Sequence, residues 1–177
     1  MKVIICDPTD PKALQTIADA GIEVIDRPDI TAEELLKEIE EYPCMVVRSR
    51  TKVTEEVIDA GKNLKAIVRA GVGLDNIAVD YAKEKGIAVL NTPTASTQSV
   101  AELTVGYLLA LARQIPQMTA SMREGKWEKK AFLGSEIAGK TLGLIGSGRI
   151  GSAVADRALA LGMTVIAYDP YLTELPQ

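Results

Sequence analysis

Short apolar runs alternate along this chain with segments whose apolar residues recur at helical spacing. Residues 2–7 read as a buried strand, and Asp10-Pro11 behind them supplies an N-cap and a first-turn proline. That helix stops at Gly21, and residues 22–26 read as a second strand. Thr31 and Glu34 make a capping box for a helix running to Glu41. Residues 44–48 form a third strand, followed by a short helix over 54–60. Residues 64–69 form a fourth, followed by a helix over 76–85 that stops at Gly86, and residues 87–91 form a fifth. Strands separated by helices predict a parallel sheet, because parallel neighbours need crossovers. The order expected is the five-stranded 2-1-3-4-5 type.

Beyond the loop at 92–96 the pattern predicts one long helix over 99–118. Val100, Leu103, Tyr107, Leu108, Leu111 and Ile115 fall on one apolar face, and Pro116 should kink or end the helix. Residues 119–140, with the single tryptophan Trp127, read as an arm or linker. A strand (141–145), a helix (149–161) and a strand (163–169) follow. The fold class expected is therefore α/β: a flavodoxin-like doubly wound sheet over 1–98, then a partial Rossmann β-α-β unit within 99–177.

Composition narrows the functions available. The 177 residues are 47% apolar and 25% charged, ordinary globular material, with only 4% aromatics. The net charge of −4 argues against a nucleic-acid surface. No run approaches the roughly 18 apolar residues of a membrane span, and no secretory leader is evident after Lys2. The two cysteines, Cys6 and Cys44, lack metal-site spacing and fit a reducing, cytoplasmic setting. There is no histidine, so no imidazole base, catalytic triad or His-ligated zinc can be completed within these residues.

Gly146-Ser147-Gly148-Arg149-Ile150-Gly151 is G-x-G-x-x-G, placed between an expected strand and helix. Asp169 follows Gly151 by 18 residues, at the end of the next expected strand. In that context Gly146 permits a tight turn, Gly148 lets a pyrophosphate approach, and Gly151 lets helix and strand pack. Asp169 would accept hydrogen bonds from an adenosine ribose and repel a 2′-phosphate, favouring NAD over NADP. The bland alternative is a tight turn with a solvated Asp. Gly71-Val72-Gly73 follows the fourth strand and reads equally as a plain turn or a carboxylate-binding loop. Arg48, Arg50 and Arg69 stand at the ends of strands three and four, either as solvated cations or as partners for a doubly anionic ligand.

The stretch 64–76 with its Arg69-Ala-Gly-Val-Gly73 centre, Asn91-Thr-Pro93, Ser99-Val-Ala-Glu102 and the fingerprint region 139–151 resemble the D-2-hydroxyacid dehydrogenases. So do Gly162-Met163 and Tyr168-Asp169-Pro170. Within them, the stretches 48–54, 111–117 and 125–130 are similar to the phosphoglycerate dehydrogenases. The resemblance implies NAD-linked oxidation of a small phosphorylated hydroxy acid, 3-phosphoglycerate, in serine biosynthesis. It implies that Arg48, Ser49, Arg50, Arg69, Gly71, Val72 and Gly73 line the substrate site. Val72, Gly146, Gly148, Arg149, Ile150, Gly151 and Asp169 would hold NAD. In relatives a basic residue near Lys129 or Lys130 reaches the partner subunit's substrate, and a homodimer through the 99–118 helix and the β-α-β unit is implied. The family's catalytic arginine, glutamate and histidine follow the second Rossmann strand and fall outside these residues. The chain therefore reads as the front of such an enzyme, inactive alone, or as a self-associating ligand-binding scaffold.

Overall fold

The computed structural model describes residues 1–171. Their contacts cluster into two compact units, the first ending at Ala95 and the second starting at Ser96.

The first unit is a parallel five-stranded sheet. In chain order its elements are β1 (Lys2–Ile5), α1 (Pro11–Asp19), β2 (Glu23–Asp26), α2 (Ala32–Glu38), β3 (Cys44–Val47), α3 (Glu55–Ala60), β4 (Ala66–Arg69), α4 (Val79–Glu84) and β5 (Ala88–Asn91). The strand order is β2-β1-β3-β4-β5, as the alternation of elements predicted. Local signals act as expected. Asp10 caps α1 by accepting from the Lys12 N–H, and Thr31 with Glu34 forms a reciprocal capping box on α2. Gly21 and Gly86 take positive φ where α1 and α4 end. The helix expected through Glu41 tightens into a 3-10 turn at Ile39–Glu41. The helix expected over 76–85 is shorter, because residues 76–78 are drawn into a bridge between Val53 and Ile77.

Register lines up Ile25, Ile4, Met45, Ile67 and Val89 as one row across the five strands. Leu35, Ile39, Val57, Ile58 and Ala82 from the helices pack on that row, and the three central residues are fully buried. Strands anchored this way present their carboxyl ends along one edge. There Asp7, two residues beyond β1, and Arg48, the residue after β3, share the edge with the strand-terminal Arg69 and Asn91.

The second unit contains α5 (Thr97–Ala112), α6 (Ile115–Arg123), β6 (Thr141–Ile145), α7 (Arg149–Ala160) and β7 (Thr164–Tyr168), with β6 and β7 parallel. The single helix expected over 99–118 is two helices. Pro116 has no N–H for the Ala112 carbonyl and its ring would clash with it, so α5 stops at Ala112. Gln114 turns the chain with φ of 53°, and Pro116 lies in the first turn of α6. The freed Ala112 carbonyl accepts the Ser135 N–H at 2.7 Å.

The apolar face expected for this helix also needs correction. Ala101 and Val105 pack against Ala153 and Val154 of α7, whereas Leu103, Tyr107 and Leu111 are exposed, Leu111 by 84%. Small residues let α5 and α7 approach closely, and the large apolar residues fall outside that contact. Residues 125–140 hold no helix or strand, and Trp127 is 80% exposed.

Candidate functional site

At the carboxyl edge of the first sheet, Asp7 lies two residues beyond β1 with its side chain 2% exposed. Its carboxylate accepts the Arg48 N–H, Arg50 Nε at 3.0 Å, and the Thr51 hydroxyl at 3.0 Å. Arg50 also donates to backbone carbonyls, from Nη1 to Ile30 at 3.1 Å and from Nη2 to Pro28 at 2.7 Å and to Cys6. Arg48 gives one guanidinium N–H to the Pro8 carbonyl at 2.8 Å. Ser49, at the turn between them, makes no hydrogen bond among the described residues. The three arginines singled out from sequence thus make different contacts, and Arg50, tied to Asp7 and three carbonyls, keeps a half-exposed side chain.

Arg69 is also engaged. Its side chain is 12% exposed, its Nε donates to the Arg48 carbonyl at 3.2 Å, and Nη1 pairs with Asp75 at 2.9 Å. The guanidinium lies against the Gly71-Val72-Gly73 loop. A Cβ on Gly73 would stand 2.8 Å from both Arg69 Nη1 and Asp75 Oδ1. On the loop's other side Asn91 Nδ2 donates to the Val72 carbonyl at 2.6 Å and the Thr92 N–H to the Gly71 carbonyl at 3.0 Å. With its carbonyls held, the loop leaves the Val72 and Gly73 N–H groups without an acceptor among the described residues. Such paired donors suit a carboxylate.

Asp7, Thr51, Asp75, Asn76 and Asn91 were given no site role from sequence, although Asp75, Asn76 and Asn91 lie in stretches that carry the family resemblance. The available signal was weak: all five lie at the end of an apolar strand or in the loop that follows one, as many turn residues do.

In the second unit, Gly146 takes φ of 97° directly after β6. A Cβ on Gly151 would run into the Gly146 carbonyl, so α7 can seat on the turn only with glycine there. At Gly148, the N-cap of α7, a Cβ would meet nothing within 4 Å, leaving open space beside a helix start that no side chain caps. Ile150 packs into the small core with Val154 and Leu142, and Arg149 opens the helix. The Ser147 N–H donates to Asp169 at 2.9 Å, and the Tyr171 N–H donates to its other oxygen at 3.0 Å. The Tyr171 and Ser147 N–H groups hold the Asp169 carboxyl below the usual carboxylate range. The Ser147 hydroxyl is buried without a partner among the described residues. An open cradle at Gly148, an unpartnered buried hydroxyl and a positioned acid fit a dinucleotide.

Comparison with known proteins decides the family. Residues 3–174 match the family described as D-isomer specific 2-hydroxyacid dehydrogenase, catalytic domain. The chain belongs to the D-2-hydroxyacid dehydrogenases. It is 56% identical over 177 residues to a hydroxypyruvate reductase of Thermotoga maritima, covering 99% of this chain and 58% of that protein. It is 48% identical over 171 residues to the D-3-phosphoglycerate dehydrogenase of Sus scrofa, covering 97% of this chain and 32% of that protein. Among solved structures, the TT0316 protein of Thermus thermophilus superposes with a TM-score of 0.91 at 37% identity, over 99% of this chain and 58% of that one. A NAD+-bound 3-phosphoglycerate dehydrogenase of Entamoeba histolytica gives 0.79 at 33% identity, over 98% and 55%.

The chain thus spans about a third to three-fifths of the length of these D-2-hydroxyacid dehydrogenases. Relatives of known structure carry NAD+ or NADPH. Among the described residues no helix is long and apolar enough to cross a membrane, and no cluster of acidic or cysteine side chains could hold a metal.

Proposed function

We propose that this chain carries the substrate side and the first half of the dinucleotide site of an NAD-dependent dehydrogenase acting on 3-phosphoglycerate. The observation that carries this reading is the joined unit of Gly146, Ser147 and Asp169, a fingerprint turn whose own amide holds the acid expected to read the ribose. NAD, when bound, supplies a hydride acceptor. The chain's residues bind and orient the two ligands. Asp169 accepts from the adenosine ribose hydroxyls and its negative charge disfavours a 2′-phosphate. Gly148, Arg149 and Ile150 meet the pyrophosphate at the start of α7. Arg48, Ser49 and the Val72 and Gly73 amides take the anionic ends of the substrate. Arg50 and Arg69 shape the two loops that carry those donors.

Removal of the substrate's hydroxyl proton needs a base, and these 177 residues contain no histidine. The chain alone therefore binds without turning over. Incubated with 3-phosphoglycerate and NAD, the pure chain forms no NADH, yet in calorimetry it binds 3-phosphoglycerate more tightly than hydroxypyruvate. Preference for hydroxypyruvate would reassign the substrate, and NADH formation would overturn the binding-only reading.

A second reading, self-association into a homodimer, rests on uncovered apolar residues of the second unit. Leu103, Tyr107 and Leu111 on α5 are exposed, as are Ile145, Ile166 and Tyr168 on the strands. Light scattering across micromolar concentrations tests it, and a compact monomer throughout would refute it.

A further inference from the structure

Among the described residues, every hydrogen bond to the buried Asp7 carboxylate comes from one tetrapeptide. The N–H groups of Arg48 and Thr51, the Thr51 hydroxyl and Arg50 Nε all converge on its two oxygens, so the stretch 48–51 is wrapped around this acid. From the other side Asn76 Nδ2 donates to both ends of the same stretch, to the Arg48 carbonyl at 2.8 Å and the Thr51 carbonyl at 2.7 Å. The neighbouring bridge, with the Val53 N–H on the Asn76 carbonyl at 2.8 Å, fixes where Asn76 stands. Between the clamped ends remain the Ser49 hydroxyl and the Ser49 and Arg50 N–H groups, none of which has a partner among the described residues.

We infer that Asp7 and Asn76 are positioning residues that hold the 48–51 turn with its free donors outward, and so set the affinity for an anionic group of the substrate. The inference rests on the proposed binding of a phosphorylated hydroxy acid and names what preorganises that site. Neither residue touches the ligand. Without them, Ser49 and Arg50 would have to be ordered at the moment of binding, and affinity would fall accordingly. An internal carboxylate suits this task because four donors packed around a neutral atom would be poorly satisfied.

The test is calorimetric titration of 3-phosphoglycerate into the full chain and three variants. Asp7→Asn keeps the shape but turns an N–H toward the donors. Asn76→Ala removes the second clamp at a half-exposed position and keeps the test informative should the first variant fold poorly. Asp59→Asn is the control, since it breaks the Asp59 contacts to Lys85 and Tyr81 and lowers stability away from the turn. The expected result is affinity weakened roughly 10- to 100-fold in either clamp variant. Displaced Ser49 and Arg50 amide resonances accompany the loss, and Asp59→Asn binds like the parent. Parent binding with unchanged affinity in a folded clamp variant overturns the inference and leaves the substrate reading standing. Absence of binding by the parent chain overturns the substrate reading and the inference with it.

Discussion

Gly151 and Gly146 are in contact through backbone alone: a side-chain carbon on the first would overlap the carbonyl of the second. The turn after β6 and the first turn of α7 are thereby one rigid piece. Gly151→Ala must push α7 off the turn, and the expected cost is about 1–3 kcal/mol of stability in the second unit. Chemical denaturation followed by far-UV circular dichroism measures it. A neutral substitution would mean that α7 does not seat on Gly146 as described.

The Asp169 carboxyl is stabilised as the anion by the Tyr171 and Ser147 N–H groups. Its folded pKa is lowered, so this contribution is complete above the unfolded value of about 3.9 and lost as pH falls through the lower folded value. The side chain's NMR titration should therefore have its midpoint below about 3.9. NADH binding should show no Asp169-linked change between about pH 5 and 8. A midpoint at or above the ordinary value would mean the two amides do not hold the acid.

The Cys6 thiol is buried and Cys44 is half-buried. Desolvation, then the neighbouring Asp7, pushes Cys6 up to about 12, and desolvation also raises Cys44. Neither should react with a disulfide reagent at neutral pH while the chain is folded, and both should react once it is unfolded. Fast labelling of Cys6 in native buffer would show that the β1 core opens more readily than its packing implies.

Gln114 holds a left-handed conformation that costs a non-glycine residue about 1 kcal/mol or more. Gln114→Gly relieves that strain at the expense of extra freedom in the unfolded chain, so a net gain of up to about 1 kcal/mol is expected. Thermal unfolding reads it directly. A clear loss would mean that the Gln114 side chain contributes something its backbone does not reveal.

The strand order and most element positions were legible because each strand is an apolar run bounded by caps and glycines, as with Thr31, Glu34, Gly21 and Gly86. The fingerprint was legible for the same reason, since Gly146 and Gly151 each answer a local backbone demand. The break expected at Pro116 was legible, but its position at Gln114 was not, because Pro116 acts four residues upstream, on the Ala112 carbonyl. The fates of Arg50 and Arg69 were equally hidden. Arg50 meets Asp7 across 43 residues of chain, and helical or strand periodicity carries no information about which carbonyls converge on a guanidinium. Residue type identified three cations at a sheet edge, and only the fold shows which partners each of them has.

The measurement that bears most directly on the proposed site is calorimetric titration of NADH into the chain, with Asp169→Ala alongside. Saturable binding is expected, weakened about 10- to 100-fold by loss of the carboxylate. No binding by the parent chain, or equal binding by the variant, would contradict a dinucleotide site built on Gly146, Ser147 and Asp169.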